Sequence, residues 1–138
     1  MLILFSIIVV YICNIIESEN LFEYLNNNLL TILLGFLAIN TATLGHLASK
    51  IQDIMVIHKH LDFSSTTSEM KKSLYEQIIL ITVSLILIIL HKSNIDFTLK
   101  NEIFNVIALS TFLYAINILW DTGKSVFIII DEIRKNNQ

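Results

Sequence analysis

Few residues in this chain are of types that do chemistry, and their spacing limits what that chemistry is. His58-Lys59-His60 sets two imidazoles two positions apart. On a helix such side chains do not share a face, and no carboxylate or third histidine sits at a ligand spacing, so solvated residues are expected and no metal is assigned. His46, Glu76 and Asp121 lie within or beside apolar runs. Ionisable groups at that depth mark ion or proton paths where they face a bundle interior, and snorkel into water where they lie near its edge. The single cysteine, Cys13, forms neither an intrachain disulfide nor a multi-cysteine metal site. No nucleophile-base-orienter set, Gly-rich phosphate loop or pair of catalytic carboxylates is present. The expectation is a protein that is not an enzyme and holds no cofactor.

Polar groups are concentrated in an unexpected place. The stretch "GFLAINTATLGHLAS", residues 35–49, lies inside an uncharged run from Tyr24 to Ser49. It nevertheless carries Asn40, Thr41, Thr43, His46 and two of the chain's three glycines. On a helix, Leu30, Leu33, Leu37, Asn40, Leu44, Leu47, Ile51, Ile54, His58 and Leu61 follow an unbroken 3-4 spacing, a heptad-type seam with Asn40 at one seam position. The opposite side carries Thr31, Gly35, Ala38, Ala42, Gly45 and Ser49, a row of small residues that lets another helix backbone approach closely. Two packing faces admit two readings. The helix is central to its own bundle and packed on both sides, or one face packs within the subunit and the other against further copies. A second polar row, Ser110, Tyr114, Asn117 and Asp121, with Lys124 a turn beyond, either bonds to neighbouring helices or lines a wet path between assembled copies.

The elements that carry these groups follow from composition. The chain is 54% hydrophobic and only 15% charged, with mean hydropathy +0.70. A chain of 138 residues cannot hide that much apolar surface from water in one small core, so lipid must cover the rest. Net charge is −3, which gives no nucleic-acid footprint, and proline is absent, which suits unbroken helices. Four apolar runs predict spans over 2–16, 29–49, 74–90 and 103–120. The first would be roughly 22 Å long against a hydrocarbon core of ~30 Å. It is read as an anchor and not a cleaved signal, because no Lys or Arg precedes it and no small-x-small site follows. The third, with only Thr82 and Ser84 in its middle, is expected to face lipid.

Lys and Arg fall mostly in 50–73 and after 120, at Lys50, Lys59, Lys71, Lys72, Lys124, Arg134 and Lys135. The positive-inside rule then puts both termini and the long middle connection in the cytoplasm. The seam continues past Lys50, which predicts one long second helix projecting from the membrane. A fresh helix start is expected at Thr66, where Thr66 and Glu69 match a capping box. Gly123 predicts a swivel, followed by an amphipathic helix over 123–138 with Val126, Ile129, Ile130 and Ile133 on one face. That helix would lie on the inner leaflet or pack on the projecting part of the second. The fold expected is an all-α membrane four-helix bundle with helical extensions at 50–73 and 123–138.

Small multidrug transporters share four short spans but place a coupling carboxylate in the first helix, where this chain has only Cys13 and Asn14 as polar breaks after Ser6. In span count, orientation and cytoplasmic helical extension the layout resembles the four-helix membrane subunits of bacterial phage-defence operons, such as the Kiwa-type membrane component. No residue motif carries that resemblance, so no functional residue is transferred. It implies a bacterial inner-membrane sensor or effector that forms homo-oligomers and works with a cytoplasmic protein. Three functions are therefore expected in turn: a self-associating protein that alters membrane permeability or relays a signal, an anchor subunit for a soluble effector, and a small proton-coupled transporter using Glu76 and Asp121.

Overall fold

In the computed structural model, secondary structure is described for residues 1–57, 62–91, 93 and 98–136, and side chains for the same residues except 129 and 131–136. Four helices follow one another: α1 (Leu2–Ile15), α2 (Asn20–Ile57), α3 (Ser64–His91) and α4 (Lys100–Asn136). Among the described residues there is no strand. α2, α3 and α4 are long and apolar enough to cross a membrane, whereas α1, at 14 residues, is a shorter apolar helix. Lengths of this kind in so apolar a chain mark a membrane protein.

The chain enters α2 nine residues earlier than the hydropathy run suggested, at Asn20 instead of Leu29. The reason is local. α1 ends in a Schellman motif, with the Ser18 amide donating to the Cys13 carbonyl at 3.0 Å and the Glu17 amide to Asn14 at 3.3 Å. Glu17 sits at φ 52°, and the turn it makes lets α2 start almost at once, before its residues become apolar. The left-handed conformation disfavours any side chain by about 1–2 kcal/mol. Glu17→Gly is accordingly expected to raise stability by about 0.5–1 kcal/mol, net of the entropy glycine loses, as read by thermal unfolding in detergent.

α3 starts at Ser64, two residues before Thr66, so the expected capping box is not the start. Asp62 caps instead: its carboxylate accepts from the Ser64 amide at 2.8 Å and from the Ser64 hydroxyl at 3.1 Å. The amide first, then the hydroxyl, hold the Asp62 carboxyl below its ordinary 3.8. A depressed carboxyl contributes stability that is fully present above its ordinary value and lost as pH falls through the lower folded one. Asp62→Ala is expected to speed amide hydrogen exchange at Ser64 and Ser65 at neutral pH. The same acceleration is expected in the unsubstituted chain only when pH falls below 3.8.

α4 runs unbroken through Gly123, which is helical and no swivel, so the amphipathic tail is the end of α4 and not a separate helix. A helix already supported on both sides of one glycine keeps its hydrogen-bond ladder, because a single Gly costs only about 1 kcal/mol. Beyond it, Val126 packs on Leu44, Leu47 and Ile51 of α2 with Phe63, Met70 and Leu74. Of these α2 residues only Ile51 lies past Lys50, so the start of the tail meets α2 mainly at the end of the expected span 29–49. Ile129 and Ile133 lie outside the described side chains.

The core is a three-helix unit. α2, α3 and α4 each pack on the other two, while α1 packs its backbone against α4 alone. Leu29 and Leu33, Leu80 and Leu87, and Phe104, Ala108, Ala115 and Ile118 form one continuous cluster between the three. A second cluster joins Val10 of α1 to Leu109 of α4, with Phe22 and Leu25 at the start of α2. α4 packs on all three others and is the central helix, whereas α3 buries one row and leaves Ile78, Ile79, Leu85, Ile86, Ile89 and Leu90 exposed. The buried row of α3 is Gln77, Leu80, Ser84 and Leu87, whereas Thr82 is exposed and turns its hydroxyl back to the Ile78 carbonyl.

Candidate functional site

The expected seam of α2 is the face that packs. Leu33, Asn40, Leu44, Leu47 and Ile51 are buried, and Leu30, Leu37 and Ile54 are half-buried. His58 and Leu61, and with them His58-Lys59-His60, lie outside the described residues. Asn40 is 0% exposed, and its amide nitrogen donates to Ser73 Oγ at 2.9 Å and to Gln77 Oε1 at 3.0 Å, both on α3. Ser73 Oγ lies 3.2 Å from Thr122 Oγ1 of α4, and Thr122 in turn donates to the Ile118 carbonyl at 3.0 Å. One polar network thus ties all three core helices at a single level. In a bilayer each such bond contributes about 0.6–2 kcal/mol, so the network fixes register more than it supplies stability.

The small-residue row is the reverse of buried. Thr31, Gly35, Ala38, Ala42, Gly45 and Ser49 are all exposed. A Cβ built on Gly35 or Gly45 would meet nothing within 4 Å. The reading in which α2 is packed on both sides within its own subunit is therefore excluded: one face is engaged and the other is open. Asn40, at its seam position, lies on the engaged face.

Three of the four members of the α4 stripe, Tyr114, Asn117 and Asp121, line a cleft of about 370 Å³ between α3 and α4. Glu69, Lys72, Ser73 and Glu76 face them from α3, and Thr122 and Ser125 complete the polar wall. Glu76 and Asp121 thus share one site, and Tyr114 lines it with them. Charges there are partly paired. Lys124 Nζ is 3.5 Å from Asp121 and 5.5 Å from the centre of the Trp120 ring, Lys72 Nζ is 4.0 Å from Glu76, and Asn117 donates to Asp121 at 3.1 Å. Ser110 lies outside this cleft, and its buried hydroxyl has no partner among the described residues. His46 is exposed on α2 and joins neither network. Among the described residues no group of three His, Cys, Asp or Glu is placed to hold a metal.

Sequence reasoning missed Ser73, Gln77 and Thr122, the partners that give Asn40 its role. A signal was present: Ser73, Gln77, Leu80, Ser84 and Leu87 follow the same 3-4 spacing that revealed the α2 seam. Gln77 adjoins the charged Glu76, and a neutral amide gives a weaker signal in an apolar run than a charge does. Compared with protein-family models, with curated proteins and with solved structures, the chain has no match.

Proposed function

We propose that this is a non-enzymatic, self-associating protein of the bacterial inner membrane, with both termini cytoplasmic, whose assembly changes membrane permeability or relays a membrane signal to a cytoplasmic protein. The observation that supports it most is the open face of α2. Lipid tails fill a shallow groove of Gly, Ala, Ser and Thr less well than a second helix does, and van der Waals contact between closely approaching backbones is the principal attraction between helices in lipid. The layout shared with membrane subunits of phage-defence systems supports antiviral defence as the setting. The concentration of Lys at the α2–α3 connection supports the orientation.

Gly45→Leu is the test. The added side chain has free space in the single subunit, so folding is expected to be unaffected. Between close-packed copies it would hold the backbones apart, and dissociation is expected to rise about tenfold or more, equivalent to roughly 1.4 kcal/mol. Native mass spectrometry in detergent reads both arms. A particle of unchanged mass after Gly45→Leu removes the support.

A second reading, an anchor for a soluble effector, is favoured by one observation. Met55, Val56 and Ile57 are exposed at the end of α2 beyond Lys50 and Asp53, where the positive-inside rule puts water and not lipid. It predicts capture of a soluble protein with ion flux at background.

A further inference from the structure

Three side chains more than nine-tenths buried in the α2–α3–α4 interior present polar atoms that no group among the described residues meets: Asn40 Oδ1, Gln77 Nε2 and Ser84 Oγ. A buried donor or acceptor left unmet costs about 1–3 kcal/mol, so atoms of this kind in a native interior point to water. The first two are complementary. A single water molecule that donates to Asn40 Oδ1 and accepts from Gln77 Nε2 satisfies both.

These atoms stand in a row. The inner face of α3 reads Ser73, Gln77, Leu80, Ser84, Leu87 and His91 at 3-4 spacing, and it is open at both ends. At one end Ser73 and Thr122 form the floor of the 370 Å³ cleft that holds Glu76, Tyr114 and Asp121. At the other, Ser84, Asn26, Asn27 and His91 line a second cavity of about 90 Å³. That is room for about three waters at the volume each takes in the liquid. Between Gln77 and Ser84 the inner face of α3 carries only Leu80. That segment spans two helical turns, roughly 10 Å, and is filled by Leu80 with Leu33 of α2 and Ala115 of α4.

We propose that this interior is a hydrophobically gated path for water and protons through a single subunit, wet from both ends and closed by the Leu33–Leu80 layer. The proposal rests on the permeability part of the function proposed above and is independent of self-association. The amides of Asn40 and Gln77 hold water in place; hydroxyls and waters pass protons. Each hop forms one O–H bond on the accepting oxygen and breaks one on the donor, so charge moves without net chemistry. An apolar constriction gates by dewetting, and it excludes ions that must keep a hydration shell.

Purified protein in liposomes, with a pH-sensitive dye inside and a potassium gradient clamped by valinomycin, reads the path. Leu80→Ser is expected to raise protein-dependent proton flux about tenfold, a barrier lower by about 1.4 kcal/mol. Ile86→Ser, on the exposed face of the same helix, is expected to leave flux unchanged, and carboxyfluorescein is expected to stay trapped in every case. Flux at the unsubstituted level in Leu80→Ser, or an equal rise in Ile86→Ser, overturns the proposal.

A second measurement does not depend on the folding of Leu80→Ser. In a Cys13→Ser background, Ser84→Cys is expected to react with a small water-soluble thiosulfonate at least about tenfold faster than Ile86→Cys, because only the first meets water. An unreactive Ser84→Cys overturns the path. Gly45→Leu separates the two readings. Flux that disappears as the particle dissociates moves the path between copies and overturns this inference alone, while flux that persists in a smaller particle supports it. A Gly45→Leu particle of unchanged mass counts against self-association only.

Discussion

Replacing Asn40 with Leu is expected to destabilise the folded protein by about 1–3 kcal/mol, the cost of leaving buried polar groups without their partner. The substitution removes the donor shared by Ser73 Oγ and Gln77 Oε1. Gln77 is only 2% exposed and its amide nitrogen is already without a protein partner, so its carboxamide oxygen loses the one donor that the described residues give it. The informative variant is the double one. Asn40→Leu with Gln77→Leu is expected to recover most of the loss, because exchanging both partners for apolar groups of similar size approaches neutrality. Unfolding in mixed micelles, read as a double-mutant cycle, measures the coupling. Single variants that add without coupling would show that the α2–α3 network contributes nothing.

A pair of alanines gives the second large effect. Ala115 is 0% exposed and packed with Leu33, Leu80, Ala108 and Ile118, where α4 meets both other core helices. Ala115→Leu adds three carbons to a filled space and is expected to cost about 1–3 kcal/mol through displaced neighbours and off-rotamer side chains. Ala38→Leu, on the open face of α2, is expected to change stability by less than about 0.5 kcal/mol. Residue type and hydrophobicity are the same at the two positions, and only their neighbours differ. Thermal unfolding in detergent distinguishes them, and equal shifts would overturn the packing described for α4.

Much of the architecture was legible before any coordinates. Apolar runs placed three of the long helices, because hydrocarbon requires continuous apolar segments whose backbone groups bond among themselves. The α2 seam was legible because a 3-4 repeat has the same meaning in lipid as in water. The errors lie where a local signal competed with a longer-range one. Gly123 is a helix breaker by propensity, yet Val126 docks on α2 and the ladder continues through it. Thr66 and Glu69 form a sound capping pattern, but Asp62 reaches the Ser64 amide first. The expectation that α3 faces lipid missed only its one buried row, Gln77, Leu80, Ser84 and Leu87, because hydropathy does not tell lipid from the interior of a membrane bundle.

By itself the sequence determined that this is an all-helical membrane protein, that α2 has a large face and a small one, and that polar groups are concentrated at a few levels. Periodicity and composition carry that information, since both are properties of neighbouring residues. Only the tertiary structure decided which face of α2 is engaged and which is open, that Asn40 meets Ser73 and Gln77, and that Glu76 and Asp121 share one cleft. Those facts depend on the rotation of one helix about its axis relative to another. That rotation is set by the fit of Leu33, Leu80 and Ala115 across the interface, between residues tens of positions apart.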